Sequence, residues 1–141
     1  MYLVDSNIVA ELRKAPSGRA NSGIVEWAQS VPPSSLFISV ITLMELEKGI
    51  LLKARQDAEA GDILRRWFYE KVQPAFKGRI LSIDEAIALE NASYHVPNPR
   101  PLADSLIAAT AKVHGLCVVT RNERDFTLLE KFGVKLLNPW R

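Results

Sequence analysis

The sequence predicts an α/β fold: a three-layer α/β/α sandwich around a mainly parallel sheet, built as a single domain over residues 1–141. Short apolar segments alternate with helical segments along the chain, which is the pattern of parallel strands joined by right-handed crossovers. A chain of 141 residues has the length of one ordinary domain with one hydrophobic core. Its 48% hydrophobic and 24% charged residues are near the averages for globular proteins, which excludes disordered and fibrous classes.

Two apolar segments in the first half have the composition of short buried strands. Leu3 and Val4 form the centre of the first, and Asn21 with Ser22 caps a helix that Pro32 ends. The helix after the second strand has apolar residues around most of its circumference, so we expect it to be well buried and to pair with its successor in a hairpin. The predicted elements are strands 2–5 and 36–39, helices 8–14, 42–55 and 58–76, and the helix that begins at 21–22.

The second half repeats this alternation of strand and helix. Three prolines, Pro97, Pro99 and Pro101, exclude helix and predict a rigid connector. The alanine-rich helix after them ends at Gly115 and leads into the most clearly apolar strand of the chain. The predicted elements are strands 79–82, 116–120 and 135–137 and helices 84–94 and 102–114.

Composition and charge narrow the functional classes. The net charge of +2 is too balanced to indicate a nucleic-acid partner by itself. A single cysteine, Cys117, excludes an intrachain disulfide framework and a cysteine zinc site. The longest uncharged run, residues 27–44, contains Pro32 and Pro33, and an acid at position 5 stands where a secretory signal has its basic start. We therefore expect a cytoplasmic protein with no membrane partner.

Four acidic residues are candidates for a shared site at the carboxyl ends of the strands. Each has an ordinary structural explanation: a capping or first-turn aspartate, or an exposed helical glutamate. Those explanations do not account for the position of at least three of them just past a strand or at the start of a helix, where ligands gather in open parallel sheets. Periodicity alone does not choose Glu45 over Glu47. The four candidates are Asp5, Glu45, Asp104 and Asp125.

Such a cluster requires a cation, because two carboxylates about 5 Å apart repel by roughly 3 kcal/mol at an effective dielectric constant near 20. Carboxylate oxygens without paired histidines suit Mg²⁺ or Mn²⁺ better than zinc or copper. His95 and His114 have no partner at ligand spacing. A site of this kind fits phosphodiester hydrolysis, in which the metal binds a phosphate oxygen and acidifies the attacking water.

Five segments of the chain resemble the PIN-domain ribonuclease toxins of the VapC and FitB type, and they span nearly its whole length. They are VDSNIVAEL near the start, SVITLMELEKG at 39–49, ADSLIAATA at 103–111, VVTRNERDF at 118–126, and LLNPW near the end. The resemblance implies that Asp5, Glu45, Asp104 and Asp125 are the catalytic, metal-binding acids. It implies supporting roles for Thr120 and Asn122, and a weaker one for Ser6.

The resemblance also implies partners. We expect an endoribonuclease with an RNA substrate, a homodimer, and a small antitoxin whose DNA-binding half represses the operon. Arg121 and Arg124 are the expected phosphate contacts beside the acids, with Arg13 and Lys48 farther out. The aromatic residues of segment 63–76 predict that this hairpin binds the antitoxin. They are Trp67, Phe68 and Phe76.

Two other functions stay open at this point. The first is a non-catalytic RNA-binding or regulatory domain that keeps the fold. The second is a phosphatase of the haloacid dehalogenase type, which also places an aspartate after its first strand. That class requires a second aspartate two residues later, where this chain has Asn7.

Overall fold

The computed structural model describes all 141 residues. In chain order its elements are β1 Tyr2–Val4, α1 Ser6–Leu12, α2 Ser22–Ser30, β2 Leu36–Ser39, α3 Val40–Gln56, α4 Ala58–Trp67, α5 Gln73–Ala75, β3 Ile80–Leu81, α6 Glu85–Tyr94, α7 Leu102–His114, β4 Cys117–Val119, α8 Glu123–Thr127 and β5 Lys135–Leu137. A π-helical turn, Phe68–Val72, joins α4 to α5. No helix is both long enough and apolar enough to span a bilayer.

The sheet has five strands in the order β3-β2-β1-β4-β5, and every neighbouring pair is parallel. Tyr2 pairs with Leu36 on one side and with Cys117 on the other, so β1 lies at the centre. The chain moves outward from β1 to β2 and β3, then returns to the far side of β1 for β4 and β5. The carboxyl end of β1 is therefore the point at which the strand order reverses, where open parallel sheets bind ligands.

Alternation of side chains along the short strands builds a core on each face of the sheet. Leu3 and Val118 point into a core with α6, α7 and α8, and both are fully buried. Val4 and Val119 point the other way, into a core formed with α1, α2, α3 and α4. Two helical layers on one parallel sheet confirm the predicted three-layer α/β/α class.

Several predicted boundaries move. Helix α1 begins at Ser6 instead of residue 8 because the Asp5 side chain accepts the Ser6 backbone N–H and caps the helix. Helix α3 begins at Val40 instead of residue 42 because the Ser39 hydroxyl caps it at Ile41 N. The predicted helix 58–76 is α4, the π-helical turn and α5 in succession. Helix α8, which carries Asp125, was not predicted.

The predicted hairpin of α3 and α4 is present, and Gly61 permits its close packing. A Cβ on Gly61 would lie 2.5 Å from the Cβ of Ala54, so a larger residue would separate the helices. The expectation that α3 is well buried is wrong: only three of its residues are buried, and Met44, Leu51 and Leu52 are exposed. The prediction of Phe68 as a surface aromatic is also wrong: it is 2% exposed, in the core beneath α4.

Candidate active site

Asp5 follows β1 at the centre of the sheet and is only 3% exposed. Its Oδ1 accepts the backbone N–H of Ser6 at 2.8 Å, and its Oδ2 accepts the Thr120 hydroxyl at 2.7 Å and the Asn7 amide at 3.3 Å. Thr120 comes directly after β4, the neighbouring strand, so the sheet itself brings these two residues together. Asp5 is both the cap of α1 and an acid in the crevice beyond the sheet.

Glu45 lies in the second turn of α3 and faces Asp5 across α1. The Ser6 hydroxyl donates to its Oε1 at 3.2 Å, and Ser6 also donates its backbone N–H to Asp5. One residue thus contacts both carboxylates. Glu47 points elsewhere, accepting the Tyr69 hydroxyl at 2.9 Å on the outer surface of the hairpin, so the geometry distinguishes two glutamates that the periodicity does not.

A second pair of acids, Asp104 in the first turn of α7 and Asp125 on α8, is linked by Asn122. The Asn122 amide donates to Asp104 Oδ2 at 3.0 Å and to Asp125 Oδ2 at 3.1 Å. The Asn122 backbone N–H also donates to the Thr120 hydroxyl oxygen at 3.0 Å. Because Thr120 in turn donates to Asp5, a continuous hydrogen-bonded chain joins the second pair to the first.

These acids perturb one another. Burial, followed by the charges of Asp5, Glu45 and Asp125, raises the pKa of Asp104 to about 6. Burial and the charge of Asp5 also raise the pKa of Glu45. Burial raises the pKa of Asp5 in spite of its three hydrogen bonds. A cation at this place would relieve the repulsion that these shifts report.

The donors at this site are oxygens of carboxylates, amides and hydroxyls, which suit a hard divalent cation such as Mg²⁺ or Mn²⁺. No three His, Cys, Asp or Glu side chains have the geometry to hold a metal ion in this structure. The hydrogen bonds of Ser6 and Asn122 hold the four acids as two pairs. The chemistry of the donor set fits the metal, and binding would require the two pairs to adjust toward each other.

A cleft of about 570 Å³ opens beside the acids and runs between α1 and the hairpin of α3 and α4. Ser6 and Glu45 line the end near the acids, and Leu64 and Trp67 line the other end. Its lining also includes two further polar residues, Asn7 and Glu11, four basic side chains and a second indole: Arg13, Lys14, Lys53, Arg121 and Trp140.

The predicted site residues therefore fall into two groups. The four acids, with Ser6, Thr120 and Asn122, form one hydrogen-bonded or electrostatically coupled cluster, and Arg121 lies in the cleft beside it. Arg124 is exposed on α8 and does not line the cleft, so its contact with RNA stays a prediction. Arg13 lines the cleft and Lys48 does not.

Sequence reasoning missed Asn7, although its place after Asp5 was a signal. Its amide donates to Asp5 and to the Thr120 hydroxyl oxygen, both at 3.3 Å, and its Oδ1 accepts the backbone N–H of Arg121 at 3.1 Å. It also missed a buried network beneath Asp104, in which the Ser105 hydroxyl accepts from Asn91 at 2.7 Å and contacts His95 at 3.0 Å. This network fixes the start of α7, and nothing in the sequence pattern marked it.

Comparison with known proteins identifies the family of this chain. The family model described as PIN domain matches residues 2–131. The chain belongs to the PIN-domain family. Toxin FitB of Neisseria gonorrhoeae is 34% identical to this PIN domain over 99% of both chains, and VapC ribonuclease Y4jK of Sinorhizobium fredii is 32% identical over 99% of this chain and 98% of its own length.

The fold agrees as well. The crystal structure of FitAcB from Neisseria gonorrhoeae superposes with a TM-score of 0.86 at 31% identity, covering 100% of this chain and 99% of the other. These similarities confirm the resemblance to PIN domains of the VapC and FitB type.

Proposed function

We propose that this single-domain protein is a metal-dependent endoribonuclease and the toxin of a type II toxin–antitoxin system. The observation that carries the proposal is the cluster of four acids beyond β1, β2 and β4, whose mutual charge helps to raise the pKa of Asp104 to about 6. Carboxylates held close at the cost of their own ionisation are typical of a site built for a cation. The relatives named as toxin and as ribonuclease support the same function.

In this proposal Asp5, Glu45, Asp104 and Asp125 hold Mg²⁺ or Mn²⁺. The bound metal would acidify the attacking water and neutralise charge that develops on the phosphate during hydrolysis of the phosphodiester bond. Thr120 and Asn7 keep Asp5 oriented, since each donates to its Oδ2. Asn122 aligns Asp104 with Asp125, and Ser6 aligns Glu45 with Asp5. Supporting hydrogen bonds of this kind usually matter 10- to 100-fold in activity.

RNA reaches the acids through its phosphates in this proposal. Arg121 lines the cleft, and its backbone N–H donates to Asn7, which in turn donates to Asp5. Arg124 stays an outer candidate for a phosphate contact. Contacts of this type carry no sequence information, so they leave the identity of the target RNA open.

Cleavage of a panel of structured RNAs in Mg²⁺ or Mn²⁺ tests the ribonuclease function. Wild type is expected to cut at least one member, and Asp5→Asn none. Asp84→Asn is the matched control, because Asp84 is an exposed cap of α6, far along the chain from the site, and asparagine caps equally well. If wild type binds RNA without cutting, the alternative of a non-catalytic RNA-binding or regulatory domain replaces the proposal.

The phosphatase alternative is disfavoured by Asn7. The second aspartate of that class would stand here, and the Asn7 amide is instead engaged with Asp5 and Thr120. Release of phosphate from p-nitrophenyl phosphate without RNA cleavage would favour the phosphatase over the ribonuclease.

We also propose a cytoplasmic homodimer that is neutralised by an antitoxin bound along the hairpin. Trp67 is half-buried and lines the far end of the cleft with Leu64, whereas Ile63 and Tyr69 on the same hairpin are about half exposed. Phe76 is half-buried, with the Arg79 guanidinium over its ring, and contributes less free surface. A short upstream reading frame encoding a DNA-binding protein would identify the partner.

Substitution of Trp67 tests this interface. Trp67→Ala is expected to weaken binding of the antitoxin encoded by the upstream reading frame at least about tenfold, since buried aromatic anchors dominate such interfaces. Titration calorimetry measures the affinity, and sedimentation measures whether the 15.7 kDa chain is dimeric. Trp27→Ala is the control, because Trp27 packs edge-on against Tyr2 and lies outside the cleft. Equal affinities of wild type and Trp67→Ala would remove the hairpin from the interface.

A further inference from the structure

A stacked pair of side chains, Arg121 and Trp140, lies in the cleft beside the acids. The guanidinium carbon of Arg121 is over the Trp140 ring, 4.2 Å from its centroid. Both residues line the same cleft as Glu45, which is one of the four acids, and Ser6, which donates a hydrogen bond to Glu45. Neither the acids nor the antitoxin interface proposed above accounts for this pair.

The backbone of Arg121 is tied to the acidic cluster. Its N–H donates to Asn7 Oδ1 at 3.1 Å, and the Asn7 amide donates to Asp5 Oδ2 at 3.3 Å. Arg121 also follows Thr120, whose hydroxyl donates to Asp5 at 2.7 Å. Two short routes therefore fix the distance between the stacked pair and the buried acid.

The segment that carries Trp140 is fixed independently. Arg141 N–H donates to Asn21 Oδ1 at 3.1 Å, and the Asn21 amide donates to the Arg141 carbonyl at 2.6 Å. Pro139 lies so close to α2 that a Cβ on Gly23 would be 2.2 Å from its carbonyl oxygen. Trp140 is thus held by a segment that is clamped onto the start of α2.

The charges of the cleft favour a polyanion. Lys14 pairs with Glu11 at 3.0 Å, whereas Arg13, Lys53 and Arg121 form no direct ion pair, although the charge of Arg121 also acts on Glu11. Unpaired basic groups beside an aromatic ring are the usual features of surfaces that bind single-stranded nucleic acid, where the bases stack and the phosphates meet cations. Stacking uses the face of a guanidinium and leaves its N–H edge free for a phosphate oxygen.

We propose that Arg121 and Trp140 form a platform on which a nucleobase of single-stranded RNA stacks, next to the phosphate to be cut. The proposal rests on the ribonuclease function proposed above and adds what that function leaves open: how unpaired bases are held. It assigns Trp140 as a substrate-binding residue. The platform requires an unpaired base, so it selects single-stranded or looped RNA over a continuous duplex.

Binding in chelator tests the platform without cleavage. The probes are a fluorescent 12-nucleotide single-stranded RNA of mixed sequence and an abasic oligonucleotide of equal length and charge. Trp140→Leu is expected to weaken binding of the RNA at least about fivefold and to leave the abasic probe unchanged, because one stacked base carries that much affinity or more. Trp27→Leu removes a tryptophan outside the cleft and is expected to bind both probes as wild type does.

A second variant guards against a folding defect. Trp140→Phe keeps an aromatic face and is expected to retain most of the preference for the RNA over the abasic probe. Equal affinities of Trp140→Leu and wild type for the RNA would overturn the proposal, as would an equal loss for both probes. A variant that binds the antitoxin more weakly but RNA normally would assign the pair to the protein interface and also overturn it.

Cleavage assays separate this proposal from the ribonuclease function. If wild type cuts an RNA, Trp140→Leu is expected to raise KM at least about fivefold and to change kcat less. An unchanged KM would overturn the platform and leave the ribonuclease standing. If wild type cuts no RNA but the base-dependent binding in chelator is present and lost in Trp140→Leu, the platform stands and the ribonuclease proposal fails.

Discussion

Two buried carboxylates on the same short helix, Asp5 and Glu11, behave in opposite ways. Asp5 caps α1 and is 3% exposed, and Glu11 lies near the end of α1 and is 8% exposed. Burial raises the pKa of Asp5 above its ordinary value. Burial acts in the same direction on Glu11, but hydrogen bonds from Asn21 N and the Lys14 ammonium and the charge of Arg121 outweigh it and lower the pKa.

The difference lies in the neighbours. Glu11 has a cation within 3.0 Å and a backbone N–H at 2.8 Å, so its charge is compensated within the chain. Asp5 has only neutral donors and interacts electrostatically with two other acids, Glu45 and Asp104, so its charge is left for something else to compensate. A carboxylate with an internal partner stabilises the fold, whereas one without a partner is available to a ligand.

The largest expected effect is on catalysis and comes from substitution of Asp5, the carboxylate whose charge has no partner within the chain. Asp5→Asn keeps the cap of α1, because asparagine caps as well as aspartate, but removes the charge that a metal would meet. We expect RNA cleavage to fall at least about 100-fold, beyond the effect usual for a supporting residue. Initial rates in Mn²⁺ measure it, with thermal unfolding as the check that the fold persists. A loss of less than tenfold in Asp5→Asn would show that Asp5 is only a helix cap.

The next effect is on stability and concerns Asp104, the acid with the most strongly raised pKa. Asp104→Asn removes one charge from the cluster and keeps its shape. A rise of the pKa from 3.8 to about 6 corresponds to roughly 3 kcal/mol, which partial exposure to solvent reduces to about 1–2 kcal/mol. We expect the melting temperature in chelator at pH 7.5 to rise by about 2–6 °C. Differential scanning calorimetry measures the rise.

The helix-dipole explanation of Asp104 predicts the opposite sign. Loss of a first-turn acid from α7 would cost about 0.3–1 kcal/mol and lower the melting temperature. Addition of Mn²⁺ gives an independent check, since a ligand of the native state stabilises wild type and should stabilise Asp104→Asn less. A lower melting temperature together with an equal Mn²⁺ response would remove Asp104 from the site.

The two kinds of acid should also give opposite pH dependences. Asp104 binds its proton more tightly when folded, so its contribution to stability is full below pH 3.8 and is lost as pH rises through about 6. Glu11 holds its proton less tightly when folded, so its contribution is present above pH 4.5 and is lost as pH falls through the lower folded pKa. Urea unfolding of wild type, Asp104→Asn and Glu11→Gln in chelator from pH 3 to 8 measures both terms.

In this series the free energy of unfolding of Asp104→Asn should rise relative to that of wild type between pH 4 and 6. Above pH 6 the difference should stay constant at about 1–2 kcal/mol. Glu11→Gln should have a lower free energy of unfolding than wild type above pH 4.5, and this difference should shrink as the pH falls below 4.5. Parallel profiles for the two variants would mean that Asp104 and Glu11 do not contribute to stability with opposite pH dependence.

How far the sequence could predict this arrangement depends on the range of the interactions. The parallel α/β class and the position of Asp5 after the first strand follow from alternating apolar and helical segments, which are local patterns, whereas the strand order does not. Glu45 and Glu47 have equal local patterns, and only the Ser6 hydroxyl across α1 distinguishes them. The supporting role of Asn122 is predicted only by the resemblance, because its two carboxylate partners come from different helices and no local pattern indicates them.

The burial of single aromatic residues was less predictable. Trp67 and Phe68 are adjacent in an amphipathic segment, yet Trp67 lines the cleft while Phe68 enters the core. The π-helical turn that begins at Phe68 changes the residues per turn, so a helical wheel cannot assign the faces after it. The clamp between Asn21 and Arg141 joins residues 120 positions apart, which no local pattern records.

The smallest expected effect tests what compensates Glu11. Lys14 is 46% exposed, and its ion pair with Glu11 spans one helical turn at 3.0 Å. A pair of this exposure is worth about 0.2–1 kcal/mol, and salt screens it. We expect Lys14→Gln to lower the free energy of unfolding by about 0.5 kcal/mol in 20 mM salt and by nothing measurable in 1 M NaCl, as measured by urea unfolding at pH 7.

If Lys14→Gln instead lowers the free energy of unfolding by more than about 2 kcal/mol in both salts, the ammonium is essential to the buried carboxylate, and the Asn21 N–H contributes little. A loss within error at low salt would assign the compensation of Glu11 to that backbone N–H, and Asp5, which also accepts a backbone N–H, would then differ from it less than its neighbours suggest.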